Sequence, residues 1–159
     1  IITFGKGLGC HGAAVLGSRQ LTDYLVNFSR SFIYTTGLSP HSVATIYVAY
    51  QALKSKDFEV ANTQLNNIIT HFNAELNRLK LSEIFISSHS AIYCAVISGN
   101  EKVKLVAQQM QSQGFAVKAI LSPTVPLGQE RLRFCLHSDN TPQEVTQVLE
   151  LLSKFVSTI

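Results

Sequence analysis

The 159-residue sequence predicts an α/β fold in two unequal pieces, and three observations carry that reading. A short apolar strand, a glycine-rich turn and a second apolar run open the chain. Amphipathic helices follow, and beyond residue 80 strands and helices alternate up to a capped terminal helix, the pattern of a small α+β sandwich. With 46% of its residues hydrophobic, the chain can bury a real core, and its length suits one domain or pieces of two.

Residues 1–4, IITF, are the first strand, and AAVLGS at 13–18 is the second, an apolar run ended by a turn signal. Between them lies GKGLGCHG, whose last six residues match the dinucleotide fingerprint GxGxxG. That fingerprint needs its last glycine to open a helix facing a pyrophosphate, whereas Gly12 leads into a strand-like run. A phosphate-binding P-loop is excluded too, because Gly7 follows Lys6 where a magnesium-holding Ser or Thr is required.

From Arg19 to Arg30, Leu21, Tyr24, Leu25 and Phe28 recur at helical spacing, which predicts an amphipathic helix with one face for a core. A link, SFIYTTGL, precedes Ser39 and Pro40, a cap and a first-turn proline that open a second helix through VATIYVAYQAL. A third helix, continuous or nearly so with the second, carries Leu65, Ile68, Ile69, Phe72, Leu76 and Leu79 on one stripe. The pattern resets between Lys54 and Asp57, so the domain boundary is placed after 57, giving pieces 1–57 and 58–159.

The second piece reads as strands at IFISS and AIYCAVIS, a helix from Glu101 closed by Gly114, and strands at FAVKAIL and RLRFCLH. A last helix begins at TPQE, where Thr141 and Glu144 make a capping box and Pro142 sits in the first turn. Helices over one face of a small sheet are the expected packing.

Composition excludes several functions. Thirteen Lys+Arg against ten Asp+Glu give a charge of +3, too small and scattered for nucleic acid or an anionic membrane. Three distant cysteines without a CxxC argue against a disulfide framework or zinc knuckle and fit a reducing cytoplasm. No apolar run approaches the ~18 residues of a membrane span. The five histidines form no HExxH, so no metal is expected, and there is no GxSxG for a serine hydrolase. The opening IITF lacks Met and is read as the tail of a longer protein.

Lys6, with glycines on both sides, is the first candidate residue. A backbone or flat ligand can approach it closely, and an ammonium between two buried-looking strands is costly unless used. An amine placed there has reason to lose its proton and attack a carbonyl, as a Schiff-base lysine does. The plainer alternative is a surface lysine in a turn. Arg131 and Arg133 alternate along their strand, so they share a face with Cys135 and His137 while Leu132, Phe134 and Leu136 point to the core. That face is either a solvated basic surface or a carboxylate clamp, since a guanidinium on a rigid strand binds a carboxylate bidentately. Thr35 and Thr36 are hydroxyls just before a helix N-terminus, a place that caps, turns or receives an anion.

TFGKGLGCHGAAVLGS, FIYTTGLSP and LSPTVPLGQERLR, in this order and spacing, resemble the C-terminal part of the α-oxoamine synthases, pyridoxal-phosphate enzymes of fold type I. The likeness covers essentially the whole chain. It implies the end of the large domain followed by the small C-terminal domain. It further implies that Lys6 forms the Schiff base with pyridoxal 5'-phosphate, that Thr3 is a phosphate-binding hydroxyl, and that Thr35 reaches the cofactor phosphate of the neighbouring subunit in a homodimer. Arg133 is implied to hold the amino-acid carboxylate, and Arg131 has no assigned role. The activity implied is decarboxylative condensation of L-alanine with a pimeloyl thioester on CoA or acyl-carrier protein. The sister activities, glycine C-acetyltransferase and serine palmitoyltransferase, stand as alternatives, and a non-catalytic dimerisation or binding module is the alternative of another class. The family's ring-pairing aspartate, stacking histidine and glycine-rich phosphate region lie upstream of the TFGK segment. The resemblance therefore implies about the back half of an enzyme, not competent as 159 residues alone.

Overall fold

A computed structural model describes residues 1–157. Two compact units divide the chain, Ile1–Glu59 and the residues from Val60 onward. In the first, β1 (Ile2–Thr3) pairs antiparallel with β2 (Ala13–Ala14), Thr3 opposite Ala13. The strand expected over 13–18 is thus only two residues long, and Gly12 leads into it rather than into a helix. α1 (Arg19–Phe28) starts where Ser18 accepts the Leu21 N–H at 3.2 Å. The link after it contains a one-turn helix, α2 (Arg30–Ile33), before α3 (Pro40–Ala52) begins behind the Ser39 cap.

The α1 core face departs from expectation. The helix has no buried residue, and Tyr24 and Phe28 stack on each other at 5.0 Å while remaining largely exposed. The stripe exists, but within this unit nothing covers it. Among the described residues of the first unit, Phe4 is the only buried hydrophobic side chain, edge-on to Tyr50 of α3 at 6.3 Å.

Residues 53–55 separate α3 from α4 (Lys56–Arg78). In the second unit α4 buries Ile68, Phe72 and Leu76, with Leu65, Ile69 and Leu79 packed partly against the same core. Behind it lies an antiparallel sheet in the order β3 (Ile92–Val96), β5 (Arg131–Cys135), β4 (Lys118–Ile120). The strand expected at IFISS is reduced to a bridge between Phe85 and Ala95. α5 (Asn100–Ser112) and α6 (Pro142–Val156) complete the layer; α5 is closed by Gly114 at φ 90°, and α6 opens with the expected reciprocal Thr141–Glu144 capping box.

Leu132, Phe134 and Leu136 are buried beside Tyr93, Ala95 and Ile97, so one face of the sheet meets the helices. Phe72 is the centre of an aromatic cluster, its ring 4.3 Å from Tyr93 and within 6.1 Å of Phe85 and Phe134. The Tyr93 hydroxyl accepts the Asn73 amide at 2.8 Å, which satisfies the polar end of a buried ring. On the rim, Arg78 joins α4 to α6 by pairing Glu75 at 2.7 Å and Glu150 at 2.9 Å. The three cysteines are free, and among the described residues no helix is long and apolar enough to cross a membrane.

Candidate functional site

Backbone bonds fix the glycine turn that carries Lys6. Phe4 N–H donates to the Gly12 carbonyl at 2.9 Å, Cys10 N–H to the Phe4 carbonyl at 2.8 Å, and Gly9 N–H to the Lys6 carbonyl at 2.9 Å. The turn closes only because Gly9 and Gly12 adopt φ of 60° and 111°, conformations other residues rarely reach. At Gly12 a side chain would also meet Leu38 at 3.1 Å, so the segment after Thr35 lies directly over the turn. Lys6 stands exposed at the tip with no side-chain hydrogen bond or ion pair within the described residues, and a Cβ at Gly7 would meet nothing within 4 Å. The expected setting between buried strands is corrected here: β1 and β2 are mostly exposed, and the amine is open rather than desolvated.

Thr3 is exposed on β1, three residues before Lys6 on the same hairpin. Thr35 is exposed in the link between α2 and α3, its hydroxyl without a hydrogen-bond partner among the described residues. The α3 N-terminus it precedes is already capped, because Ser39 Oγ accepts the Ser42 N–H at 3.2 Å. Thr3, Lys6 and Thr35 thus belong to one unit, and Arg133 belongs to the other.

The two strand arginines differ in their engagement. Arg131 folds back on Gln129, donating from Nε to its carbonyl at 2.8 Å. Arg133, exposed two residues on, makes no side-chain hydrogen bond or ion pair within the described residues, so its guanidinium fork is available for a ligand. In register it faces Cys94 of β3 on one side and Lys118 of β4 on the other. Beside it runs a cleft of about 360 Å³ bounded by Phe115, Lys118, Arg133, His137 and Val148 among others.

Glu130 carries a structural role that the sequence did not reveal. It is fully buried, and its Oε2 accepts the Gly99 N–H at 2.9 Å, at the N-terminus of α5. Backbone N–H groups of Gly99, then Glu130 and Gly128, hold its carboxyl below the usual range against the opposing effect of burial. Its Oε1 has no partner among the described residues. A glutamate after a Pro/Gly loop looks like solvent-facing polarity; only the fold brings Gly99 to it, 31 positions away. The loop it anchors leads straight into Arg131 and Arg133.

Comparison with known proteins gives a consistent pattern. The family described as Aminotransferase class I and II matches residues 1–152. The chain is 39% identical over 156 residues to the 8-amino-7-oxononanoate synthase of Emericella nidulans, an alignment covering 97% of this chain and 38% of that protein. It is 36% identical over 152 residues to the synthase of the same name from Enterobacter sp. (strain 638), covering 96% and 39%. The crystal structure of 8-amino-7-oxononanoate synthase from Francisella tularensis shares the fold with a TM-score of 0.81 at 28% identity, covering 98% of this chain and 44% of that one. The architecture is that of the fold type I enzymes, and the chain spans well under half the length of these relatives.

Proposed function

This chain belongs to the aminotransferase class I and II family, and we propose that it is the C-terminal part of a pyridoxal-phosphate-dependent acyltransferase. The reaction assigned to the whole protein joins L-alanine to a pimeloyl thioester with loss of carbon dioxide, giving 8-amino-7-oxononanoate. Residues 1–57 form the end of its large cofactor-binding domain with the linking helix, and 58–159 its small domain. The identity to synthases of that name supports the choice of substrates. The observation that carries the reading is the exposed Lys6 amine, without a partner among the described residues, at the tip of a glycine-built hairpin.

The residues present fit the cofactor as far as this chain reaches. An aldehyde needs a primary amine and a phosphate needs hydroxyls; Lys6 provides the one, Thr3 and Thr35 the others, and Gly5 and Gly7 keep side chains out of the approach. The acid and the stacking histidine for the pyridine ring have no counterpart here. When bound, the cofactor supplies an electron sink for the amino acid's Cα.

The chain's own residues do the remaining work. Lys6 would hold the cofactor through its Nζ, and that amine, once free, would be the base that removes the amino acid's Cα proton. Arg133 grips the carboxylate that is later lost and so fixes which bonds lie in reach of the base. Thr3 and Thr35 would hold the cofactor phosphate, Thr35 from the neighbouring subunit of a homodimer that works in the cytoplasm.

The test is to supply the protein carrying this sequence with pyridoxal phosphate, L-alanine and pimeloyl-CoA and to identify products by mass spectrometry. The expected result is 8-amino-7-oxononanoate, abolished in Lys6→Ala. Turnover of glycine with acetyl-CoA instead would move the assignment to glycine C-acetyltransferase. Neither turnover nor cofactor uptake would leave a non-catalytic dimerisation module.

A further inference from the structure

Lys118 and Arg133 sit directly opposite each other across the β4–β5 ladder, on the face of the sheet turned away from the helices. Directly opposed side chains on antiparallel strands have Cβ atoms about 5 Å apart, and like charges there repel. No ion pair among the described residues relieves this pair. Both side chains are exposed and neither makes a hydrogen bond or ion pair within the described residues. The other residues of that face in register with them, Ile92, Cys94, Val96, Ile120, Arg131 and Cys135, include no acid. Glu144 borders the adjoining cleft, but its Oε2 is committed to the Thr141 N–H at 2.8 Å as half of the capping box.

The strand also needs no charge at 118 for its own sake. Ala119 and Leu132 hold β4 and β5 against the core from the opposite face, so 118 contributes only what it presents outward. The neighbouring cation pattern is selective as well: Arg131 is drawn off to Gln129, while Arg133 and Lys118 are left pointing out together.

We propose that Lys118 is the second cation of a two-cation carboxylate site, with the Arg133 fork taking both oxygens of a small carboxylate and the Lys118 ammonium adding a third donor. The inference rests on the reading of Arg133 as a carboxylate clamp and extends it to a residue outside the segments that carry the family resemblance. Lys118 strengthens binding of any small carboxylate, and it favours a ligand with a second carboxylate a few bonds away over a monocarboxylate.

The experiment is an NMR titration of the full chain with sodium acetate and with sodium succinate at constant ionic strength, chloride being the balancing anion. It follows the Arg133 side-chain Nε–H and the amides of β4 and β5 in the unaltered chain, Lys118→Met and Arg133→Met. Site-specific shifts saturating at lower concentration with succinate are expected. In Lys118→Met the affinity for succinate should fall at least fivefold and its advantage over acetate should vanish. The same variant should unfold at a higher urea concentration, because the repulsion is gone; that rise separates a lost ligand contact from a damaged fold. Unchanged affinities in Lys118→Met with binding lost in Arg133→Met would overturn this proposal and leave a single-arginine clamp. Undiminished binding in both variants, or no saturable shift, would overturn both the proposal and the clamp on which it rests.

Discussion

At the residue scale the chemistry turns on which polar groups are spent and which are left over. Arg131 is spent on Gln129 and Arg133 is not, so the two arginines, identical in sequence character, should part in function. Arg133→Lys is expected to raise KM for the amino acid at least tenfold with kcat changed less, because an ammonium cannot copy the guanidinium fork; the matching Arg131 variant should leave both near their starting values. Steady-state kinetics on the protein carrying this sequence check it. Glu130 is spent inward. Its folded pKa is depressed, so the stability it contributes is present above the ordinary carboxylate pKa of about 4.3 and is lost as pH falls through the lower folded value. Urea midpoints should decline as pH falls from about 4.3 towards the lower folded value, and Glu130→Gln should flatten the decline. Lys6 and Arg133 could be singled out as candidates from the sequence, because glycine flanks and period-two alternation are local signals. Glu130 could not be, since its partner Gly99 is distant in the chain.

Elements built on local signals match the sequence reading closely, and those that depend on neighbours do not. The capping box at Thr141 and Glu144 formed as the TPQE motif dictates. Thr141→Ala should cost about 1 kcal/mol of stability, the usual worth of an N-cap side chain, read from urea unfolding of the full chain. The α4 stripe likewise meets the core it was patterned for, with Phe72 fully buried under three aromatic rings. Phe72→Ala should cost about 3–5 kcal/mol, the range for emptying a buried aromatic site. By contrast IFISS has strand composition yet keeps only the Phe85 bridge, because pairing needs a partner strand in register and β3 offers it a short stretch. α1 has its amphipathic stripe and its Ser18 cap but no covering layer within its unit, a fact no periodicity can report.

Across the whole molecule the two units differ in how well each is sealed. The second buries a continuous core from Ile68 to Leu152, whereas the first keeps Phe4 alone under cover and exposes Leu21, Tyr24, Phe28, Phe32 and Tyr47. Hydrogen exchange should therefore be faster over residues 1–59 than over α4, the sheet and α6, because local opening there exposes little further apolar surface. Equal protection in both would contradict that picture. The pattern reset near Asp57 is a local signal for dividing the chain, but the imbalance in sealing between the two units leaves none, since apolar composition is similar and burial depends on what lies against each face.

The proposed chemistry depends on Lys6 holding the cofactor. It is tested most directly by incubating the protein carrying this sequence with pyridoxal phosphate, reducing with borohydride, and locating the adduct by peptide mass mapping. One pyridoxyl group is expected on the peptide containing Lys6 and none in Lys6→Ala. No adduct, or an adduct spread over exposed lysines such as Lys54 and Lys118 without preference for Lys6, would contradict it.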